Sequence, residues 1–94
     1  MGIGGRVAEI VGQKLRTLAQ HRQVLCVTHL PQVAALGHHH LQVSKHTSDN
    51  ITITRIQHLQ SEQRVDELAR MLGGVEITEQ TLSHAKEMMD RAQV

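Results

Sequence analysis

Val24-Leu25-Cys26-Val27-Thr28-His29-Leu30-Pro31-Gln32-Val33 decides how this chain is read. Four consecutive apolar residues, three of them β-branched or Cys, suit a strand covered on both faces, as in a parallel sheet. The run closes on a polar Thr28-His29 pair, and ligands of such sheets gather beyond the carboxyl ends of the strands. That placement makes His29 a candidate site residue. The plainer reading of a histidine ending a strand is a capping or surface residue. Pro31 has a fixed φ and no N–H, so it suits the first turn of a following helix.

Around this stretch the composition sets bounds. The chain has 94 residues, ten basic and nine acidic side chains, eight histidines, one cysteine and no Phe, Tyr or Trp. A single domain of this size buries about 60–70% of the surface its unfolded chain exposes. Without aromatic side chains, Leu, Val, Ile, Met and Ala must supply the whole core. That is unusual for a free-standing domain and ordinary for a piece whose core is completed by other polypeptide. Cys26 cannot form an intrachain disulfide, and inside an apolar run it reads as a buried thiol. No apolar run approaches the ~20 residues of a membrane helix. Charges of both signs are interspersed, which gives no electrostatic footprint for nucleic acid.

The remaining elements follow from periodicity. Val7, Ile10, Val11, Leu15 and Leu18 recur at helical spacing, predicting an amphipathic helix over 6–20 with this stripe as its buried face. A strand at 23–29 follows, then a short helix from Pro31 to Leu36 stopped by Gly37. Leu41 and Val43 alternate with Gln42 and Ser44, the turn cluster 47–50 follows, and 51–56 is β-branched. This predicts a hairpin over 38–58 with a longer loop, at a sheet edge. Two helices are expected over 60–92. Ser61 caps the first, whose stripe is Val65, Leu68, Ala69 and Leu72, and Gly73-Gly74 end it. Thr78 caps the second, which buries Leu82, Ala85 and Met89. The predicted fold is thus α/β, running helix, strand, short helix, β-hairpin and two helices.

Two further clusters invite chemistry. Gly2-Ile3-Gly4-Gly5 before a helix has the character of an anion-binding nest. It matches no nucleotide fingerprint, because position 7 is Val7 and Gly12-Gln13-Lys14-Leu15 lacks the Gly-Lys-Ser/Thr of a P-loop. From the residues alone it is a flexible turn. His38 and His40 would share one face of a strand, with His46 or His58 across the hairpin, as zinc ligands do. No carboxylate lies between Glu9 and Asp49 to support such ligands, so a solvated cluster is the plainer reading. These histidines define the alternative function: a small standalone binding module acting through metal or protein interaction.

Taken together, the blocks Gly2-Ile3-Gly4-Gly5, Val27-Thr28-His29-Leu30-Pro31-Gln32-Val33-Ala34, Val43-Ser44-Lys45 and Glu67-Leu68-Ala69-Arg70-Met71-Leu72-Gly73-Gly74 carry a resemblance, continued by Thr81-Leu82 and Ala85-Lys86-Glu87. With them the chain resembles the C-terminal portion of the RecN family, SMC-like, ABC-type ATPases of bacterial DNA repair. The resemblance implies a P-loop hydrolase head in which Gly2, Gly4 and Gly5, in the D-loop-like turn at 1–5, are cofactor-binding residues together with Thr28. It implies that Thr28 and His29 end the strand, with His29 as the switch histidine at the γ-phosphate and the attacking water. It further implies ATP and Mg²⁺ as cofactors of the parent, a head–head homodimer, DNA as a partner through the parent assembly, and a cytoplasmic, nucleoid-associated location without a membrane. In that family an Asp-Glu pair precedes the glycine turn, where Met1 stands here. The P-loop, signature motif, coiled-coil arms and Walker B carboxylates have no counterpart in these 94 residues. The expectation is therefore a tail of a longer protein, unable to hydrolyse ATP alone and inclined to self-associate through surfaces that lost neighbours would cover.

Overall fold

The computed structural model describes residues 4–73 and 76–92. Its elements run α1 (Gly5–Leu18), α2 (Pro31–Ala34), β1 (Leu41–Ser48), β2 (Ile51–His58), α3 (Ser61–Gly73) and α4 (Glu79–Ala92). Gly2 and Gly74, to which the sequence assigns roles, lie outside the described residues.

α3 and α4 form as their periodicity dictates. Leu68, Ala69, Ala85, Met88 and Met89 meet Ala35 of the segment after α2 in one buried cluster, flanked by Val65, Leu72 and Leu82. Small and flexible side chains let the three elements approach without an aromatic plug. Thr78 caps α4 as expected: its hydroxyl accepts the Thr81 N–H at 3.2 Å, while the Thr81 hydroxyl accepts the Thr78 N–H at 2.9 Å. This reciprocal pair satisfies two otherwise orphaned donors. At α3 the cap sits one residue earlier than expected. Ser61 is already helical, and the Gln63 side chain accepts the N–H of Gln60 at 3.0 Å.

The hairpin is tighter than its loop chemistry suggested. β1 and β2 pair antiparallel from Leu41 opposite His58 to Ser48 opposite Ile51. Only Asp49 and Asn50 remain for the turn, both left-handed with φ of 51° and 65°. Two consecutive positive φ values match the right-handed strand twist, and Asp and Asn tolerate them because their short side chains bond locally. The hairpin begins at Leu41 rather than 38. It makes a two-stranded sheet by itself instead of edging a larger one.

Two expectations fail. Residues 23–28 lie in no helix and belong to neither strand of the described sheet. Leu25 is 83% exposed and Val27 95%, and the Cys26 thiol is exposed rather than buried. An apolar strand covered on both faces needs neighbours, and no described strand pairs with this segment. α1 likewise buries a different face. Val7, Ile10, Val11 and Leu18 are exposed, whereas Ala8 and Gly12 are buried. The smallest residues win because they allow close approach: a Cβ on Gly12 would lie 3.3 Å from the Val33 Cα and 2.6 Å from the Leu36 Cδ1.

Candidate functional site

α2 is a single turn, and short helices do not hold themselves in water. Three devices hold this one. At its start Pro31 occupies the first helical position and is buried. Just before it, the Leu30 N–H donates to the Thr28 hydroxyl at 3.0 Å, which bends the chain at His29. At its end, two guanidinium groups reach the carbonyls of the last helical residue and of the three that follow it. Arg64 Nη2 donates to the carbonyls of Gly37 at 2.8 Å, Ala34 at 3.1 Å and Ala35 at 3.5 Å. Arg16 Nη1 donates to that of Leu36 at 2.7 Å. Cations at a helix C-terminus also meet the negative end of its dipole.

This arrangement sets the sequence candidates in place. His29 is exposed, between the Thr28 turn and the start of α2. Thr28 is half-buried and spends its hydroxyl on the backbone. Gly4 precedes α1 with ordinary extended angles, φ −62° and ψ 150°, so its conformation does not require glycine. Gly5 is different. A Cβ there would come within 3.2 Å of the Gln32 side-chain nitrogen, so Gly5 lies against the helix that follows His29. α1 and α2 thus bring Gly5 and the Thr-His-Leu-Pro-Gln block together, with Gln32 at the junction.

The histidines do not assemble. His39, not His38 or His40, faces His58, with ring centroids 5.5 Å apart and planes inclined by 48°. His46 stands opposite Ile53, toward the far end of the hairpin. Among the described residues no three His, Cys, Asp or Glu side chains are placed to share a metal ion.

Residues that periodicity did not single out carry the local electrostatics. Glu67 is buried and accepts the Gln42 amide at 2.7 Å and the Arg70 Nε at 2.9 Å, with a second Arg70 contact through Nη2. These bonds, led by Arg70, hold its carboxyl below the ordinary range despite burial. The link from Gln42 to Glu67 fastens the hairpin to α3. His40, at the base of the hairpin, has a buried Nδ1 without a partner. Burial first, and the Arg64 charge second, lower its pKa from 6.5, with Glu67 opposing. Burial and then Arg16 lower the pKa of Arg64 as well. The one signal for Arg64 in the sequence is its position: Arg64, Leu68 and Met71 fall on one face of α3, so a charge interrupts an apolar stripe.

A histidine with a lowered folded pKa stays neutral in the fold while the unfolded chain takes up a proton. The unfolded state then binds more protons, so stability rises with pH in this range. His40 contributes fully above pH 6.5, and its contribution is lost as pH falls below that value. Glu67 adds a second loss below its ordinary value of 4.5. Melting temperature is expected to drop between pH 7.5 and 5.5, and His40→Gln to flatten that part of the profile. An unchanged slope in the variant would assign the effect elsewhere.

Nearly the whole chain aligns with proteins of one kind. It is 54% identical over 92 residues to the DNA repair protein RecN of Xylella fastidiosa (strain 9a5c), covering 98% of this chain and 16% of that protein. Identity is 54% over 90 residues to RecN of Haemophilus influenzae, and 44% over 91 residues to RecN of Bacillus subtilis. These alignments cover 96% and 97% of this chain, and 16% of each relative. This chain is homologous to the C-terminal region of bacterial RecN. It therefore spans about one sixth of the length of these RecN proteins. No family model matches it. The RecN relationship bears out the resemblance drawn from the glycine turn, the Thr-His-Leu-Pro-Gln block and the α3 motif. No helix among the described residues is long and apolar enough to cross a membrane.

Proposed function

We propose that these 94 residues serve as the C-terminal part of an SMC-like, ABC-type ATPase head in recombinational DNA repair, and that His29 is its switch histidine. The observation that carries this reading is the uncovered apolar surface around 23–28. Leu25 and Val27 stand almost wholly in solvent, and Val7, Ile10, Val11 and Leu18 are exposed on the side of α1 turned away from α2. Covering each such side chain is worth about 1.5–3 kcal/mol. An apolar run that lies in no helix or sheet and exposes its side chains is what a buried strand leaves when its neighbours are missing. The polypeptide that RecN relatives carry beyond the matched segment supplies those neighbours. With the sheet complete, His29 ends a central strand, where ligands of such sheets bind.

In that setting the residues of this chain have defined tasks. The His29 imidazole donates a hydrogen bond to a terminal phosphate oxygen and orients the attacking water. This suits phosphoryl transfer, which depends on positioning and charge stabilisation. Thr28 fixes the backbone angle at His29 through Leu30. Gly4 and Gly5 present main-chain N–H groups at the start of α1, beside Gln32. The chain has no Gly-Lys-Ser/Thr cradle, so the β- and γ-phosphates and Mg²⁺ are held by the rest of the head. Mg²⁺ supplies neutralisation of charge on the phosphates. Pairing of two heads around nucleotide and contact with DNA belong to the completed protein, in the cytoplasm.

Hydrogen exchange tests this. The chain is joined to the polypeptide that precedes the matching segment in the Haemophilus influenzae relative. Amides of residues 24–28 are expected to gain at least about 100-fold protection over the 94-residue chain alone, the range that separates exposed from core backbone. If these amides exchange freely in a folded, ATP-binding fusion, the segment is not a strand of that head.

A further inference from the structure

We propose that Arg64, seconded by Arg16, is a positioning residue for His29, setting through α2 where the imidazole stands relative to the reacting phosphate. This rests on the reading of His29 given above. The four carbonyls from Ala34 to Gly37 receive their side-chain donors from two cations on two different helices, α1 and α3. Arg64 is 7% exposed, and its Nε is buried without a partner. Burying a guanidinium beside another cation is a costly way to finish a one-turn helix, and an apolar residue fills such space more cheaply. What the guanidinium adds is reach and fixed orientation: its Nη2, at the end of a rigid plane, meets the carbonyls of Ala34, Ala35 and Gly37 together, whereas an ammonium is a compact point charge on a flexible stem.

The other end of α2 transmits that geometry. The Leu30 carbonyl accepts the N–H groups of Val33 at 3.1 Å and Ala34 at 3.0 Å, and the Leu30 N–H is tied to Thr28. Between Thr28 and Gly37 the chain is thus bonded turn by turn, with Pro31 limiting its freedom further. A shift of the helix end moves His29, one residue before the Leu30 cap. The clamp also ties that position to α3, and α3 holds the hairpin through Glu67 and Gln42.

The test uses the full-length Xylella fastidiosa RecN with this chain in place of its matching segment, comparing Arg64→Lys, His29→Ala and the double variant. Arg64→Lys is expected to lower single-turnover ATP hydrolysis about tenfold with KM unchanged. The double variant is expected to be no slower than His29→Ala, because a displaced imidazole and a missing one fail at the same step. If Arg64→Lys does not fold, Arg16→Gln, which loses a single bond to Leu36, is expected to reduce turnover about threefold with KM unchanged. Full turnover in a folded Arg64→Lys or Arg16→Gln protein, with His29→Ala inactive, overturns the proposal and leaves the switch-histidine reading standing. So does an additive loss in the double variant. Full turnover in His29→Ala overturns the switch-histidine reading itself.

Discussion

His29→Ala is expected to lower ATP turnover by the completed head about 10²–10³-fold, the range for removing a positioned donor or proton-transfer group at a reacting centre. Nucleotide affinity should hardly change, because an imidazole that orients water and meets developing charge acts mainly in the transition state. The exposed position of His29 predicts a stability change within about ±0.5 kcal/mol, as for surface substitutions generally. Lost turnover with intact folding would then be a chemical effect. His29→Gln keeps N–H donor capacity in its side-chain amide and is expected to recover part of the loss. Quenched-flow hydrolysis beside equilibrium nucleotide binding separates the cases. Turnover within twofold of the unsubstituted protein would remove His29 from the mechanism, and a parallel collapse of affinity would make it a binding residue instead.

Leu68→Ala is expected to cost about 3 kcal/mol, within the 2–5 kcal/mol typical of buried leucines. Leu68 is fully buried where α2, α3 and α4 meet, and its neighbours are small or flexible. Met88 and Met89 can move partly into the space, which argues for the middle of the range. Small domains have about 5–15 kcal/mol in total, so one truncation here removes a large fraction. Chemical denaturation at pH 7.5 checks the value. A loss below about 1 kcal/mol would show that this cluster is not the folding core. The same substitution should also loosen α2, because Ala35 at its end belongs to the same buried cluster, and the His29 loop would lose order with it.

How much of this was legible in advance depends on the range of the interactions. The Thr78 cap, the stripes of α3 and α4, Pro31 at the start of α2 and the existence of the hairpin all rest on contacts within a few residues. All of them were readable. The turn is shorter than its residues suggest, because Asp49-Asn50 lacks the glycine that usually announces a two-residue turn. The role of Arg64 was hidden because its partners lie 27 to 30 residues away and are backbone carbonyls, which no side-chain pattern marks.

Periodicity, caps and breakers in these 94 residues determined by themselves the helices, the hairpin and the placing of His29 just ahead of a proline-started turn, since each depends on neighbours along the chain. The resemblance carried by four short blocks came from the same source. Tertiary structure alone decided which face of α1 is buried, how Gly5 meets Gln32, and that two arginines hold α2. Those choices depend on steric fit and on satisfying buried carbonyls between distant segments. The apolar run at 24–27 shows the division most plainly: its composition specifies a covered strand, but covering it takes neighbouring backbone that no described element of this chain provides.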